Sequence, residues 1–144
     1  MQSNMLIISE CCRALGNLSH YPEVEAIFSN GADQILHQLL DSSDINLVVN
    51  VIGIFINFSL VKSDLKVFDQ SEGGENSGIF KLLITMREFN DWRVSTLTLQ
   101  LIWNLLRNAK KVVILKPWNS MAIFDSAMSN LATESRNYCG VILC

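Results

Sequence analysis

Three asparagines stand where apolar side chains are expected: Asn17 in "ALGNLS", Asn57 in "IFINFS" and Asn104 in "LIWNLL". Asn suits an apolar helical face badly, because burial strips water from its amide. A primary amide donates and accepts hydrogen bonds at once, so it can hold a peptide backbone without reading its side chains. Two uses of that chemistry stay open at the level of sequence. The amides can hold a partner's backbone, or they can satisfy backbone groups at the ends of their own helices.

Other reactive residue types form no constellation. His20 and His37 lack carboxylate or Cys neighbours at ligand spacing, so no metal is expected. Glu72-Gly73-Gly74 has no following Lys-Ser/Thr and no preceding strand, so it is not a phosphate loop. Cys11 and Cys12 are adjacent, cannot readily bridge to each other in a helix, and fall at positions expected to be core. With Cys139 and Cys144 they read as reduced thiols of an intracellular, cytoplasmic chain. No catalytic residue, cofactor or small-molecule substrate is expected. The "NLS" and "NFS" tripeptides match a glycosylation sequon, and at a helix end of an intracellular chain the match reads as incidental.

The bulk properties exclude further classes. A net charge of -3 gives no footprint for nucleic acid, and the basic cluster from Arg107 to Lys116 reads as a solvated helix end. The most apolar run, "NLVVNVIGIFINFSLV", is cut by Asn50 and Asn57, so it reads as a buried helix and not a membrane span. No secretory signal is evident.

The asparagines also mark a period. Asn57 follows Asn17 by 40 residues and Asn104 follows Asn57 by 47, within the range of about 40–47 expected for armadillo and HEAT units. Gly31 and Gly78 each precede the next asparagine by 26 residues. The 7 extra residues of the longer unit therefore fall in or beside "DQSEGGENSG", a composition that reads as a loop. Apolar residues recur at fixed offsets from each asparagine: Ile7, Leu47 and Val94; Cys12, Ile52 and Leu99; Leu15, Phe55 and Ile102; Leu18, Phe58 and Leu105. These offsets share one helical face. After each glycine, Ile35, Leu36 and Leu39, then Leu82, Leu83 and Met86, make a short amphipathic helix.

The pattern predicts a long helix over about 4–19 and short helices over 22–28 and 33–40. A long helix to about residue 60 follows, capped by Ser43 or Asp44. A short helix capped by Ser63 ends at Phe68, then a loop, a short helix over 78–88 and a long one over 91–107. The order short, short, long recurs. The expected fold is all-α.

On these residues the chain resembles the armadillo repeat family. "NGADQILHQLLDSSDINLVVNVIGIFINFS" has the form of one repeat, "ECCRALGNLS" the end of the one before, and "SGIFKLLITMREFNDWRVSTLTLQLIWNLL" the form of the next. The resemblance implies a right-handed α-solenoid of about two and a half to three repeats: a partial repeat 1–19, repeats 20–60 and 61–107, and a loop insertion near 69–78. The segment 108–144 diverges, with a candidate capping helix over 119–133. A chain with a partial repeat at one edge reads as a fragment or short isoform of a longer array.

The resemblance further implies a peptide groove along the long third helices, with Asn17, Asn57, Asn104, Arg13 and Gln100 as candidate contacts. Armadillo import adaptors carry Trp four residues before the asparagine. That position here holds Arg13, Gly53 and Gln100, which weakens an import-signal reading. The closest resemblance within the family is to members that build the axoneme of motile cilia and sperm flagella. It implies a non-catalytic scaffold or adaptor with protein partners, ciliary cargo or transport components among them, and a cilium-associated location. The alternatives are a general peptide-binding module and a structural axonemal component.

Overall fold

The computed structural model describes residues 2–24, 26, 31–61, 65–68 and 78–108. The chain in these residues is helical. Helix α1 spans Gln2–Leu18, α2 Asp33–Leu39, α3 Ile45–Val61, α4 Gly78–Phe89 and α5 Trp92–Asn108. Single turns of 3-10 helix lie at Pro22–Val24 and Lys66–Phe68. Residues 25, 27 and 28 of the first expected short helix, the expected cap Ser63, the loop insertion through residue 77 and the segment 109–144 lie outside the described residues.

Local chemistry sets the helix starts. Asp44 Oδ1 accepts the backbone N–H of Asn46 at 2.9 Å and of Leu47 at 3.3 Å, which makes Asp44 the N-cap of α3. Asp91 does the same for α5, accepting the N–H of Arg93 at 2.8 Å. The Arg93 guanidinium bonds the same carboxylate at 3.2 Å, and this bond, with the backbone N–H bonds, holds the Asp91 carboxyl below its usual range. Asn90, between α4 and α5, has φ +47, in the left-handed region that Asn tolerates better than most residues.

The three long helices carry the architecture. Helix α3 packs on α1 with one side and on α5 with the other, while α2 packs on α3 and α4 on α5. Leu47, Val48, Val51, Ile52, Ile54, Phe55, Ile56 and Phe58 of α3 are therefore all buried. Each large apolar side chain so enclosed contributes roughly 1.5–3 kcal/mol. Among the described side chains of α3, those that meet solvent are Ile45, Asn46, Val49, Asn50, Gly53, Asn57 and Leu60, one or two residues per turn. The 3-10 turn joins the short helices, and Phe68 packs edge-on to Phe55 at 4.9 Å and to His37 at 5.9 Å.

The two glycines that marked the period do different work. Gly31 sits at φ +89 with open space where a Cβ would be, so its backbone conformation needs glycine. A Cβ on Gly78 would collide with the Val67 carbonyl oxygen and lie 2.6 Å from Phe68 Cδ1, so the close approach of the 3-10 turn needs glycine there.

The expected core is corrected at its first helix. Cys12 is buried, but Cys11, Ile7 and Leu18 are exposed, the last two at 61% and 51%. Their register equivalents on α3 and α5 are covered by the preceding long helix, and among the described residues no helix lies on that side of α1. Ile35 is also exposed, at 61%, because α2 turns Leu36 and Leu40 to the core instead. Among the described residues no helix is long and apolar enough to cross a membrane.

Candidate functional site

The asparagines expected at a groove lie at the C-terminal ends of the long helices. Ser19 donates its hydroxyl to the Gly16 carbonyl at 2.6 Å, and Ser59 donates to the Ile56 carbonyl at 2.6 Å. The Gly16 carbonyl belongs to the last turn of α1, where the helix leaves its acceptors unfilled, whereas the Ile56 carbonyl lies inside α3, which runs on to Val61. A hydroxyl that donates this way keeps lone pairs for an incoming donor.

The next long helix supplies that donor. Asn57 Nδ2 donates to Ser19 Oγ at 2.8 Å and to the Gly16 carbonyl at 3.2 Å. Asn104 Nδ2 donates to Ser59 Oγ at 3.0 Å. The same amide-to-hydroxyl bond thus links α3 to α1 and α5 to α3. Asn50 Nδ2 adds a longer bond to the Ser9 carbonyl at 3.5 Å, so α1 and α3 run parallel. Ser19, Ser59 and Asn104 are buried, and each finds its partner across or along this ladder. Both Asn57 N–H groups are taken up by Gly16 and Ser19, and His20 Nε2 stands 3.4 Å from the same nitrogen.

The structure therefore brings Asn57 and Asn104 into use between helices of this chain, a third use beside the two open from sequence. Asn17 is exposed, and its amide meets no serine among the described residues. The serines were the missed residues. Their signal was present: "NLS" and "NFS" recur in register, a pattern that a chance sequon has no reason to keep.

Arg13, Gly53 and Gln100 lie one turn before the asparagines. Arg13 is exposed and Gln100 half-buried, and a Cβ on Gly53 would meet open space. Together they form a row across α1, α3 and α5 with a notch at its centre. Glu10 bonds Arg13 at 2.6 Å and raises its pKa through the hydrogen bond and its charge, but a pair this exposed contributes little stability. Trp103, beside Asn104, is half-buried.

A second polar cluster lies between α2 and α4, where His37, Asp41, Lys81, Thr85 and Glu88 line a shallow pocket. Lys81 Nζ bonds Asp41 Oδ2 at 2.7 Å. His37 Nε2 is buried without a hydrogen-bond partner, and burial, then the Lys81 charge, push its pKa down. Burial also pushes the Cys12 thiol up, with a further contribution from Cys11, which leaves Cys12 protonated and inert. Among the described residues no group of His, Cys, Asp and Glu could hold a metal ion.

No family model, curated protein or solved structure matches this chain.

Proposed function

We propose that this chain is a non-catalytic protein-binding scaffold of the armadillo type, a right-handed α-solenoid of two and a half to three repeats. The observation that carries the reading is the repeated bond of Asn57 to Ser19 and of Asn104 to Ser59. One link recurring between successive long helices is what a stack of similar units requires, since each unit buries its face only on the next. The partner is an extended peptide lying over the row Arg13, Gly53 and Gln100. Glycine at the centre lets a backbone approach closely, and Arg13 and Gln100 supply donors on either side. Asn57 and Asn104 hold the row's helices in register.

The setting follows from the sequence resemblance to axoneme-building members of that family: assembly in motile cilia and sperm flagella, as an adaptor for protein cargo. A pull-down from ciliated cells tests both levels, using the full chain and an Arg13→Ala/Gln100→Ala variant. The expected result is capture of axonemal or transport components by the first and their loss with the second. Equal capture by the variant removes the row. The same captured set from unciliated cells removes the ciliary setting. Retention of the chain in salt-extracted axonemes assigns it to the fixed structure and not to transport.

A further inference from the structure

The pocket between the short helices α2 and α4 carries an unbalanced charge. Its volume is about 340 Å³, at the small end of the range that ligands occupy, and it is open on one side. Leu40 and Ile84 give it apolar walls. Lys81 is committed to Asp41 at 2.7 Å, and its side chain is only 21% exposed, so these two charges cancel. His37, which also lines the pocket, is neutral at pH 7: its Nε2 is closed to water without a partner, and burial opposes a charge on the ring. Thr85 donates its hydroxyl to the Lys81 carbonyl at 2.9 Å and keeps lone pairs for an incoming donor. Glu88 is exposed, and its carboxylate has no ion-pair partner among the described residues. It sits in the last turn of α4, where unfilled carbonyls are already negative and a carboxylate is unfavourable unless a cation meets it. Arg87 is also there, but neighbours in a helix sequence do not face each other. The free acceptors, the surplus negative charge and the helix end together favour a cationic donor and oppose an anion.

We propose that this pocket takes an arginine side chain projecting from a protein partner. The guanidinium pairs with Glu88 and donates to Thr85 Oγ1, while its aliphatic stem lies on Leu40 and Ile84. A guanidinium suits the site better than an ammonium. It gives up its water more readily, and it is flat, so it stacks on the His37 ring, which is held against Phe68 at 5.9 Å. An open pocket of this size covers one side chain but leaves much of a free small molecule in water, whereas small-molecule sites bury most of their ligand. That favours a residue presented by a larger surface. The pocket is carried by α2 and α4, the row Arg13, Gly53 and Gln100 by α1, α3 and α5, so this site does not depend on that row binding a peptide.

The test titrates the full chain, with labelled Ile and Thr methyl groups, with acetyl-arginine amide, in which only the guanidinium is charged. Saturable shifts of the Ile84 and Thr85 methyl resonances are expected by NMR. Acetyl-citrulline amide, of the same shape without the charge, should give none, and acetyl-lysine amide should bind more weakly than the arginine probe. Glu88→Gln, an exposed change that leaves the fold intact, should weaken binding roughly tenfold, the value of one charge-assisted hydrogen bond. The Arg13→Ala/Gln100→Ala variant should bind the probe as the unaltered chain does, which separates this site from the peptide row. No shift at Ile84 and Thr85, equal binding of the citrulline probe, or undiminished binding to Glu88→Gln overturns the proposal. Tighter binding of free arginine than of its capped amide assigns the pocket to a small molecule and overturns it too.

Discussion

Asn104 and Ser59 are joined side chain to side chain at 3.0 Å across 45 residues of sequence, and both are nearly closed to water. In that setting an unmade hydrogen bond costs more than a made one contributes, because the orphaned group has been stripped of solvent. The pair therefore acts as a register pin between α3 and α5. A slip of α5 by one turn would bury an amide with no acceptor. Asn57 and Ser19 pin α1 to α3 in the same way.

Ser59→Ala is expected to destabilise the chain by about 1–3 kcal/mol, since the Asn104 amide loses its acceptor. Asn104→Leu should cost a similar amount. The double variant should cost less than the sum, with a coupling of about 0.5–3 kcal/mol. Denaturant unfolding of the four proteins measures this. Simple additivity would show that the two side chains do not hold each other.

Thr98 has the opposite problem. It is fully buried on α5 and its Oγ1 has no hydrogen-bond partner. Its register equivalent on α3 is Val51. Thr98→Val removes an unpaired hydroxyl and should stabilise the chain by about 1 kcal/mol, read as a higher denaturation midpoint. A fall in stability would mean that the hydroxyl has a partner.

Much of this was legible in the residues, and the reasons differ from element to element. A start for α3 capped by Ser43 or Asp44 and a start for α5 near Asp91 were readable because a helix start is set locally, by a side chain and the two or three N–H groups after it, and the structure gives the caps to Asp44 and Asp91. The core positions of α3 were readable because that helix is covered on both sides and its periodicity has one solution. The same offsets failed on α1, where Cys11 and Leu18 are exposed, because periodicity reports which face a helix offers and not whether anything lies on it. The bond from Asn57 to Ser19 spans 38 residues. Its residues were visible, but their pairing depends on how α1 and α3 stack, which no local rule supplies.

Gly78→Ala should be the most damaging of the glycine substitutions. The new methyl meets the Val67 carbonyl and the Phe68 backbone, 3.1 Å from its Cα, and backbone does not yield as a side-chain tip does. A loss of about 1–3 kcal/mol is expected from overpacking. Gly31→Ala meets nothing but must adopt φ +89, so it should cost about 1–2 kcal/mol, with Gly31→Asn milder. If thermal melts rank Gly31→Ala below Gly78→Ala, the close packing of the 3-10 turn on α4 is wrong.

His37 gives the fold an acid-sensitive point. Burial and the Lys81 charge lower its pKa from the ordinary 6.5, while Asp41 and Asp33 pull weakly the other way. The unfolded chain therefore binds this proton more readily than the folded one. The stability held by neutral His37 is full above about pH 6.5 and is lost as pH falls toward the depressed value. His37→Phe should flatten the pH dependence of unfolding in that window. An unchanged slope would show that the ring is solvated and titrates alike in both states.

Gly53 separates the proposed peptide row from the scaffold that carries it. Glycine inside a helix costs roughly 0.5–1 kcal/mol relative to alanine, and a Cβ at this position would meet no atom within 4 Å. Gly53→Ala should therefore raise the stability of the free chain by about that amount. A glycine kept at such a cost in the middle of α3 is explained if a partner's backbone crosses it. The methyl that stabilises the free chain should then weaken partner capture, and Gly53→Leu should weaken it further while leaving the fold intact. Parallel melts and pull-downs read the two effects independently. Higher stability with undiminished capture would move the partner off this row, leaving the amide ladder beneath it as an internal fastening alone.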